Sequence, residues 1–336
     1  MRYRNVGDGN GCGVLDYLCS MIPGLPYGID IYCGLWLLIF VIQKTSPAWM
    51  TAWMKPADAA VRGRQTGMFL ALFSIWAGVL YGLSMMWYEH SGQMGFHWFN
   101  DNQAWLQVDK FGHFFTTFQE ARLMMLMWQW TGMSQKRASV AGMLGGILYQ
   151  TPIELLDGFQ DAYGASWGDL MANTLGAVAL WAQVRWLKDI VVHSKFSISS
   201  HPIAAMRPSM FGANFFQQIL KDYNGQTYWF SFEARHLLPV FKMLPPWLCI
   251  SIGYGADGMI GGTENRVKNT DGTWTEYPDL SRTRQVYLSV DVNWDKVRFP
   301  TPWLKTSMAV FSLVKIPAPT LEWNMDSGLK WHWVHF

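Results

Sequence analysis

Apolar residues in the first part of the chain are grouped into long stretches that alternate with short charged or polar segments. The stretches with the length and composition of helices are Ile31–Ile42, Gly67–Tyr88, Gly112–Met133, Ala138–Leu156 and Trp167–Leu187. A helix needs about 20 apolar residues to cross a membrane, and Gly67–Tyr88 meets this length without a charged residue. The pattern therefore predicts an N-terminal bundle of about five apolar helices in a membrane.

The pattern changes its period after about residue 190. In Arg284–Asp295, valine and leucine alternate with polar or aromatic residues, as expected for a half-buried strand. Further strand candidates are Thr227–Phe232, Trp247–Tyr254 and Lys330–Phe336, and Trp303–Val314 has the pattern of a short amphipathic helix. The sequence therefore predicts an α+β membrane protein in which a strand-containing C-terminal region follows the helical bundle.

Three regions follow from this change of pattern. Residues 1–66 are predicted to be an N-terminal segment with a membrane anchor near Ile29–Gln43, and residues 67–190 are predicted to be the membrane helical bundle. Residues 191–336 are predicted to be a mixed α/β region rich in strands.

The composition agrees with a membrane setting. Hydrophobic residues make up 50% of the chain and charged residues 15%, whereas an average soluble domain has about 25% charged residues. The chain also contains 20 tryptophans, a residue that favours membrane–water interfaces. The net charge of +2 and the lack of a basic tract argue against a nucleic-acid partner and favour membrane lipids. Cys12 and Cys19 could form a disulfide in an oxidising compartment, with free thiols as the alternative.

Charged residues separate into two groups if each predicted helix crosses the membrane. The basic group contains Lys55, Arg62, Arg64, Lys136, Arg137, Arg185 and Lys188. The acidic group contains Glu89, Asp101, Asp109, Glu154, Asp157, Asp161 and Asp169. The positive-inside rule places the basic side in the cytoplasm and the acidic side outside the inner membrane.

The acidic end of the predicted bundle contains three pairs of polar residues at helical spacing. The pairs are Asp109 and His113, Glu154 and Asp157, and Asp169 and Asn173. They lie at the start of the third predicted helix, the end of the fourth and the start of the fifth. In an up-and-down bundle these three helix ends lie on one side, so we expect the six side chains to converge on one site.

Two kinds of chemistry are compatible with this cluster. His113 and Glu154 could form a general acid–base pair, with the neighbouring aspartates orienting the substrate. Alternatively, His113, Asp109, Glu154 and Asp169 could hold a divalent metal ion. The glycine-rich run Ile252–Gly262 is not expected to bind a nucleotide, because it lacks the helix that follows a nucleotide-binding loop.

Two further interpretations of the polar residues remain open. Asp109 and Asp169 could simply stabilise the N-terminal ends of their helices through the helix dipole. The chain could also contain an ion or proton pathway, which predicts that Glu120 is buried together with Arg122.

Several segments resemble the signature of an uncharacterised bacterial envelope family that includes a small enterobacterial periplasmic lipoprotein. In the helical part they are Asn100–Asn102 (NDN), Trp105–His113 (WLQVDKFGH), Glu154–Gly158 (ELLDG) and Ser166–Gly176 (SWGDLMANTLG). The segments similar to the longer, two-part members are Leu220–Ser231, Trp247–Gly262 and Lys315–Glu322. The resemblance covers roughly residues 80–336 and implies an envelope location.

The helical part also resembles, more distantly, the VanZ-like membrane family. The positions that carry this resemblance are Asp109, Lys110, His113, Glu154, Asp169, Asn173 and Gly176. It implies a shared site at the acidic end of the bundle but supplies no reaction.

Two functions are compatible with these observations. The first is an accessory or structural subunit of a bacterial envelope membrane complex, because no complete catalytic signature is present and exposed strand edges favour pairing with a partner protein. The alternative is a membrane-embedded enzyme that acts on lipid-linked or cell-wall substrates through the His/carboxylate site. Both functions predict an integral membrane protein of the envelope, in either the inner or the outer membrane.

Overall fold

A computed structural model describes residues 55–88, 91–269, 271–299 and 302–336. These residues lie within one compact unit of the chain, Trp53–Phe336. The predicted membrane anchor, the first predicted helix Ile31–Ile42 and the cysteines Cys12 and Cys19 lie outside the described residues. The predicted domain boundaries near residues 66 and 190 remain predictions.

Four long helices form the first part of the described chain. They are α1 (Arg62–Trp87), α2 (Val108–Trp130), α3 (Gln135–Asp157) and α4 (Trp167–Ala182). Helix α2 packs between α3 and α4, around a core that includes Phe118 and Leu180. Glycines allow this close packing: a Cβ atom at Gly142 would lie 2.3 Å from the carbonyl oxygen of Ala121. A Cβ atom at Gly176 would lie equally close to the carbonyl oxygen of Phe114.

The second part of the described chain is built on an antiparallel sheet of six strands in the order β1-β2-β3-β6-β7-β8. Its strands are β1 (Val192–Ile198), β2 (Gln226–Glu233), β3 (Leu248–Asp257), β6 (Thr283–Val292), β7 (Ala318–Asn324) and β8 (Gly328–His335). A separate hairpin consists of β4 (Arg266–Lys268) and β5 (Trp274–Glu276). The shorter helices are α5 (Pro202–Met206), α6 (Pro208–Phe211), α7 (Phe215–Lys221), α8 (Ala234–Leu237) and α9 (Pro302–Phe311).

Helix α2 joins the two parts because its aromatic side chains pack on strands β2 and β3. The ring of Phe111 stacks on Tyr254 with 4.5 Å between ring centroids, and the ring of Phe114 meets Phe230 edge-on at 5.3 Å. The start of the same helix enters a buried cluster that contains Val108 and Tyr228. These contacts hold the N-terminal turns of α2 at a fixed position against the sheet.

The sheet has polar side chains on a buried face and apolar side chains on an exposed face, as strand β6 shows. In β6 the apolar side chains of Val286, Leu288 and Val290 are exposed, whereas Ser289 and Asp291 on the opposite face are buried. The buried polar groups are satisfied by one another. Asp291 Oδ2 lies 2.8 Å from the ammonium of Lys195 and accepts a hydrogen bond from Ser231 at 2.6 Å. Such pairing is what makes a buried polar face tolerable.

The predicted fold class, a membrane protein built on a bundle of about five apolar helices, is wrong. Among the described residues one helix, α1, is long and apolar enough to cross a membrane, and none of its residues is buried. Helices α2 and α3 bury polar side chains, among them Gln119, Arg122 and Gln150, and α2 packs on a large antiparallel sheet. The apolar residues of α2, α3 and α4 therefore serve, in large part, to pack these helices within an α+β protein.

The positions of individual elements agree better with the sequence. The four helices predicted after residue 60 are present within a few residues of their predicted bounds, and the predicted strands correspond to β2, β3, β6 and β8. The pattern does not predict strands β1 and β7 or the β4–β5 hairpin. The predicted helix Trp303–Val314 corresponds to α9.

Candidate functional site

The ends of three helices meet at one corner of the helical part. The first turns of α2 and α4 and the last turn of α3 bring together the polar side chains of Asp109, His113, Glu154, Asp169 and Asn173. We call these five residues, with Asp101, Lys110, Asp157 and Ser166, the His113 cluster. Asp157 is the sixth predicted site residue and accepts a hydrogen bond from the Tyr88 hydroxyl at 2.6 Å.

His113 lies at the centre of the cluster. Its Nε2 atom is 3.6 Å from Oδ1 of Asp169 and 3.8 Å from Oδ1 of Asp109. Its Nδ1 atom is 3.2 Å from Oδ1 of Asn173 and 3.7 Å from Oε1 of Glu154. The side chain of His113 is 18% exposed, so it is not fully buried.

Lys110 supplies a second positive charge to the cluster. Its ammonium lies 2.7 Å from Asp101, 2.7 Å from Asp169 and 3.2 Å from Asp109. One ammonium has three N–H donors, so it can donate to all three carboxylates at once. Lys110 therefore holds together carboxylates that would otherwise repel one another.

Ser166 connects the cluster to the N-terminal end of α4. Its Oγ accepts a hydrogen bond from the backbone N–H of Asp169 at 3.2 Å, which is an N-cap contact, and donates one to Asp101 at 2.6 Å. Its own N–H donates to Oε2 of Glu154 at 3.3 Å. The capping interpretation of Asp169 is therefore incomplete, because Ser166 provides the cap while the Asp169 carboxylate faces Lys110 and His113.

A residue of the strand-rich region also contributes to the cluster. The hydroxyl of Tyr223 donates a hydrogen bond to Oδ1 of Asp109 at 2.9 Å. Sequence spacing could not identify this contact, since Tyr223 is 114 positions from Asp109. Asp101, Lys110 and Tyr223 do lie within the segments that carry the family resemblance, and this is the signal that could have identified them.

Burial and mutual charge change the pKa values of the cluster. Burial lowers the pKa of His113, but the carboxylates of Asp169, Asp109 and Glu154 raise it by more, to about 9. Burial raises the pKa of Glu154 to about 8 and that of Asp169 to about 7, although the charge of His113 opposes both shifts. Burial raises the pKa of Asp157 to about 6. At neutral pH His113 is therefore an imidazolium.

Two polar atoms of the cluster have no hydrogen-bond partner although they are buried. They are Oε1 of Glu154 and Nδ2 of Asn173. Both atoms belong to side chains that contact His113. A buried polar group without a partner costs about 1–3 kcal/mol, so these atoms mark a place where the fold retains unused hydrogen-bonding capacity beside the imidazole.

The backbone that leads into α2 is strained. Trp105, Leu106 and Gln107 all have left-handed φ angles, of 50°, 47° and 66°, which is unfavourable for residues with a Cβ atom. Tertiary contacts hold this conformation: the Trp105 N–H donates to the Gly262 carbonyl at 2.7 Å, and Arg284 donates to the Gln107 side chain at 2.9 Å. The strained segment ends at Gln107, two residues before Asp109.

The predicted metal site is only partly formed. Asp109, His113 and Asp169 each offer a ligand atom, and these atoms lie within 4.8 Å of one another. Carboxylates and imidazole are suitable ligands for divalent metals. However, the ammonium of Lys110 already contacts both carboxylates, and Glu154, the fourth predicted ligand, is not part of this group. The chain thus neutralises these carboxylates with its own cation.

Glu120 and Arg122 do not form a common pathway. Glu120 accepts a hydrogen bond from Gln150 at 2.9 Å, within the helical layer. Arg122 makes two hydrogen bonds to Asp295, at 2.9 and 2.7 Å, in the strand-rich region. Arg122 is buried and Glu120 is half-buried, and the two side chains face different neighbours.

Comparison with known proteins gives one family match. Residues 96–183 match the family model described as "Predicted periplasmic lipoprotein (DUF2279)". The match agrees with the resemblance to an uncharacterised envelope family, but it gives no support to the VanZ-like resemblance or to an integral membrane location. No curated protein and no solved structure matches the chain. The segment from α2 to the end of α4, which carries most of the His113 cluster, is therefore similar to a bacterial envelope domain of unknown function.

Proposed function

We propose that the chain is an enzyme of the bacterial envelope in which His113 acts as a general acid on lipid-linked or cell-wall substrates. The observation that carries this proposal is the position of His113. Its imidazole lies 3.2–3.8 Å from four polar side chains, and the side chain as a whole is 18% exposed. A cluster that is only structural has no need for a partly exposed imidazolium.

In this mechanism two groups exchange protons with the substrate. The imidazolium of His113 donates its proton to the leaving oxygen or nitrogen of the bond that breaks, while Asp169 accepts a proton from the attacking water or hydroxyl group. Asp169 suits this task because its pKa of about 7 lies near the operating pH. Lys110 and Ser166 hold the carboxylates in place, and exchange with solvent returns both protons to their starting positions.

The cellular test uses strains of the source organism that lack the chain. These strains receive the wild-type chain, the His113→Gln variant or, as a control, the His236→Gln variant, and their envelope lipids and cell-wall fragments are compared by mass spectrometry. His236 is a suitable control because it is 52% exposed and pairs with Glu233, outside the cluster. We expect wild type and His236→Gln to restore one changed species and His113→Gln to leave it changed. Full restoration by stably folded His113→Gln would contradict the proposal.

A second candidate function is an accessory subunit of an envelope complex. The exposed apolar side chains of Val286, Leu288, Val290 and Trp323, on adjacent strands of the sheet, favour it. A contiguous apolar patch on a protein often marks an interaction site. Gentle extraction from native membranes, followed by mass spectrometry, tests this function: a stoichiometric partner protein supports it, whereas a chain that purifies alone argues against it.

A further inference from the structure

The segment that joins strands β2 and β3 exposes five large apolar side chains. It comprises residues 234–247 and contains helix α8 and a short 3₁₀ helix, Pro239–Met243. We call this segment the β2–β3 loop. Met243 is 96% exposed, and the apolar side chains that are at least 39% exposed are those of Leu237, Leu238, Val240, Met243 and Trp247.

The backbone of the β2–β3 loop is held by hydrogen bonds. The N–H of Phe241 donates to the carbonyl of Leu238 at 3.0 Å, and the N–H of Leu244 donates to the carbonyl of Phe241 at 2.9 Å. At the end of the loop, the N–H of Asn293 donates to the carbonyl of Trp247 at 2.7 Å. The fold therefore holds these apolar side chains on the outside of the protein, where strand β2 ends and strand β3 begins.

The charged side chains of the β2–β3 loop are all basic. Arg235 and Lys242 are exposed, and neither forms an ion pair with a residue in the described part of the chain. His236 is not counted with them, because it pairs with Glu233 at 3.2 Å. The sequence contains no acidic residue from Ala234 to Ala256. The loop therefore presents two cations together with its apolar side chains.

Exposed apolar side chains flanked by cations are the pattern of a segment that binds a membrane surface. The apolar side chains enter the boundary between the head groups and the acyl chains, and lysine and arginine attract anionic head groups. Trp247 suits the same boundary, because indole combines an apolar body with an N–H donor. A protein partner would need acidic groups opposite Arg235 and Lys242 and a pocket for Met243, whereas an anionic lipid surface provides both without a specific shape.

We infer that the β2–β3 loop binds the surface of a membrane that contains anionic phospholipids. Its exposed apolar side chains enter the interfacial layer, and Arg235 and Lys242 contact the lipid phosphates. This contact does not cross the membrane, and it agrees with the envelope location that the family match supports. It does not depend on the proposed role of His113, because Tyr223 reaches the cluster from the start of β2 and the loop follows the end of β2.

Two cations give a measurable preference for anionic lipids. Each lysine or arginine near an anionic membrane surface strengthens binding by roughly fivefold, so two of them contribute about 25-fold. Salt screens this attraction, since the Debye length falls from about 10 Å at 0.1 M to about 3 Å at 1 M ionic strength. The preference for anionic lipids should therefore be largely lost at high salt.

Vesicle binding by the purified full chain measures this preference. The chain is mixed with vesicles of phosphatidylcholine, or of equal parts of phosphatidylcholine and phosphatidylglycerol, and the bound fraction is determined by sedimentation. We expect at least about tenfold tighter binding to the anionic vesicles at low salt and little preference at high salt. Arg235→Gln combined with Lys242→Gln should reduce the preference to below about threefold. Lys136→Gln combined with Arg137→Gln removes the same charge from the exposed start of α3 and should retain the preference.

Hydrogen exchange locates the contact, which total binding cannot do because helix α1 also exposes apolar side chains. Anionic vesicles should slow the exchange of the backbone amides in the β2–β3 loop. Val240→Ser combined with Met243→Ser should remove this protection, whereas Met206→Ser combined with Phe216→Ser, at two exposed apolar positions elsewhere, should retain it. Thermal unfolding confirms that the variants are folded, as expected for substitutions of exposed side chains.

Three results would each overturn the inference. They are equal binding to neutral and anionic vesicles, a preference that survives the removal of Arg235 and Lys242, and loop amides whose exchange anionic vesicles do not slow. Protection of the loop by a co-purifying protein but not by vesicles would assign this surface to a protein partner and would overturn it as well.

Discussion

The hydroxyl of Tyr223 donates a hydrogen bond to Oδ1 of Asp109 across 2.9 Å and so connects the strand-rich region to the first turn of α2. Both side chains are half-buried, and Tyr223→Phe leaves a carboxylate oxygen without its donor. We expect the free energy of unfolding to fall by about 1–3 kcal/mol. Denaturation in urea measures this change, with Tyr81→Phe on the exposed surface of α1 as the control. Equal losses in both variants would contradict the structural importance of this contact.

The protonation state of His113 can be observed directly. Nuclear magnetic resonance of the imidazole C–H groups should show a titration midpoint near pH 9, because neighbouring carboxylates stabilise the imidazolium. Asp169→Asn removes the largest of these contributions and should move the midpoint toward the ordinary value of about 6.5. A wild-type midpoint near 6.5 would show that the carboxylates do not act on His113 as the distances imply.

Lys110 should be far more important for stability than a surface lysine. Lys110→Met leaves Asp101, Asp109 and Asp169 without their shared cation, and breaking a buried charge pair costs about 3–5 kcal/mol. The loss should grow as the pH rises, since more of the carboxylates become charged. Thermal unfolding at several pH values measures it, and Lys268→Met on exposed strand β4 is the control. A loss below about 1 kcal/mol at all pH values would contradict the role assigned to Lys110.

The free energy of unfolding of the wild type should fall as the pH rises, in part because of Glu120. Glu120→Gln should remove this part of the fall. Burial raises the pKa of Glu120 to about 8, whereas the carboxyl of an unfolded chain titrates near 4.3. Between these values the unfolded state has lost its proton and the folded state retains it, so the free energy of unfolding falls as the pH rises. Gln keeps an acceptor for Gln150 and has no such dependence.

The measurement for Glu120 is the free energy of unfolding at pH 5 and pH 8. The difference between the two pH values should be smaller in Glu120→Gln than in wild type. Glu264→Gln, at an exposed carboxyl, should keep the wild-type difference. If Glu120→Gln and wild type show the same difference, Glu120 does not titrate as its burial implies.

Alanine substitutions at two glycines, one in a crowded and one in an open position, test the packing of the helical layer. Gly176→Ala places a Cβ atom 2.3 Å from the carbonyl oxygen of Phe114, and overpacking of this kind costs about 1–3 kcal/mol. Gly82→Ala on α1 meets nothing within 4 Å and should be neutral or stabilise by up to about 1 kcal/mol. Paired thermal unfolding curves give both values. Similar changes in the two variants would contradict the close contact between α2 and α4.

The sequence identified the local elements and the main members of the cluster for clear physical reasons. Helical spacing places Asp109 and His113 on one face of α2, and short connections force the ends of α2, α3 and α4 to one side. The five side chains of Asp109, His113, Glu154, Asp169 and Asn173 therefore meet as expected. Their catalytic or metal-binding roles remain predictions.

The membrane bundle was a wrong prediction because apolar length alone does not distinguish burial in protein from burial in lipid. The aromatic face of α2 looks like a lipid-facing surface in sequence, but Phe111 and Phe114 pack on Tyr254 and Phe230 of the sheet. The sheet itself was hard to anticipate, since its covered face is polar and its exposed face is apolar. Contacts between distant segments, such as Tyr223 with Asp109, carry no signal in local periodicity.

The central claim, that His113 is the acid of an envelope enzyme, is tested most directly by turnover in vitro. Purified wild-type and His113→Gln chains, matched for thermal stability, are incubated with extracts of envelope lipids and cell wall from the source organism, and the products are quantified by mass spectrometry. We expect at least one species that wild type converts and that His113→Gln converts at least about a hundredfold more slowly. Conversion at equal rates by both chains, or no conversion of any extract by wild type, would contradict it.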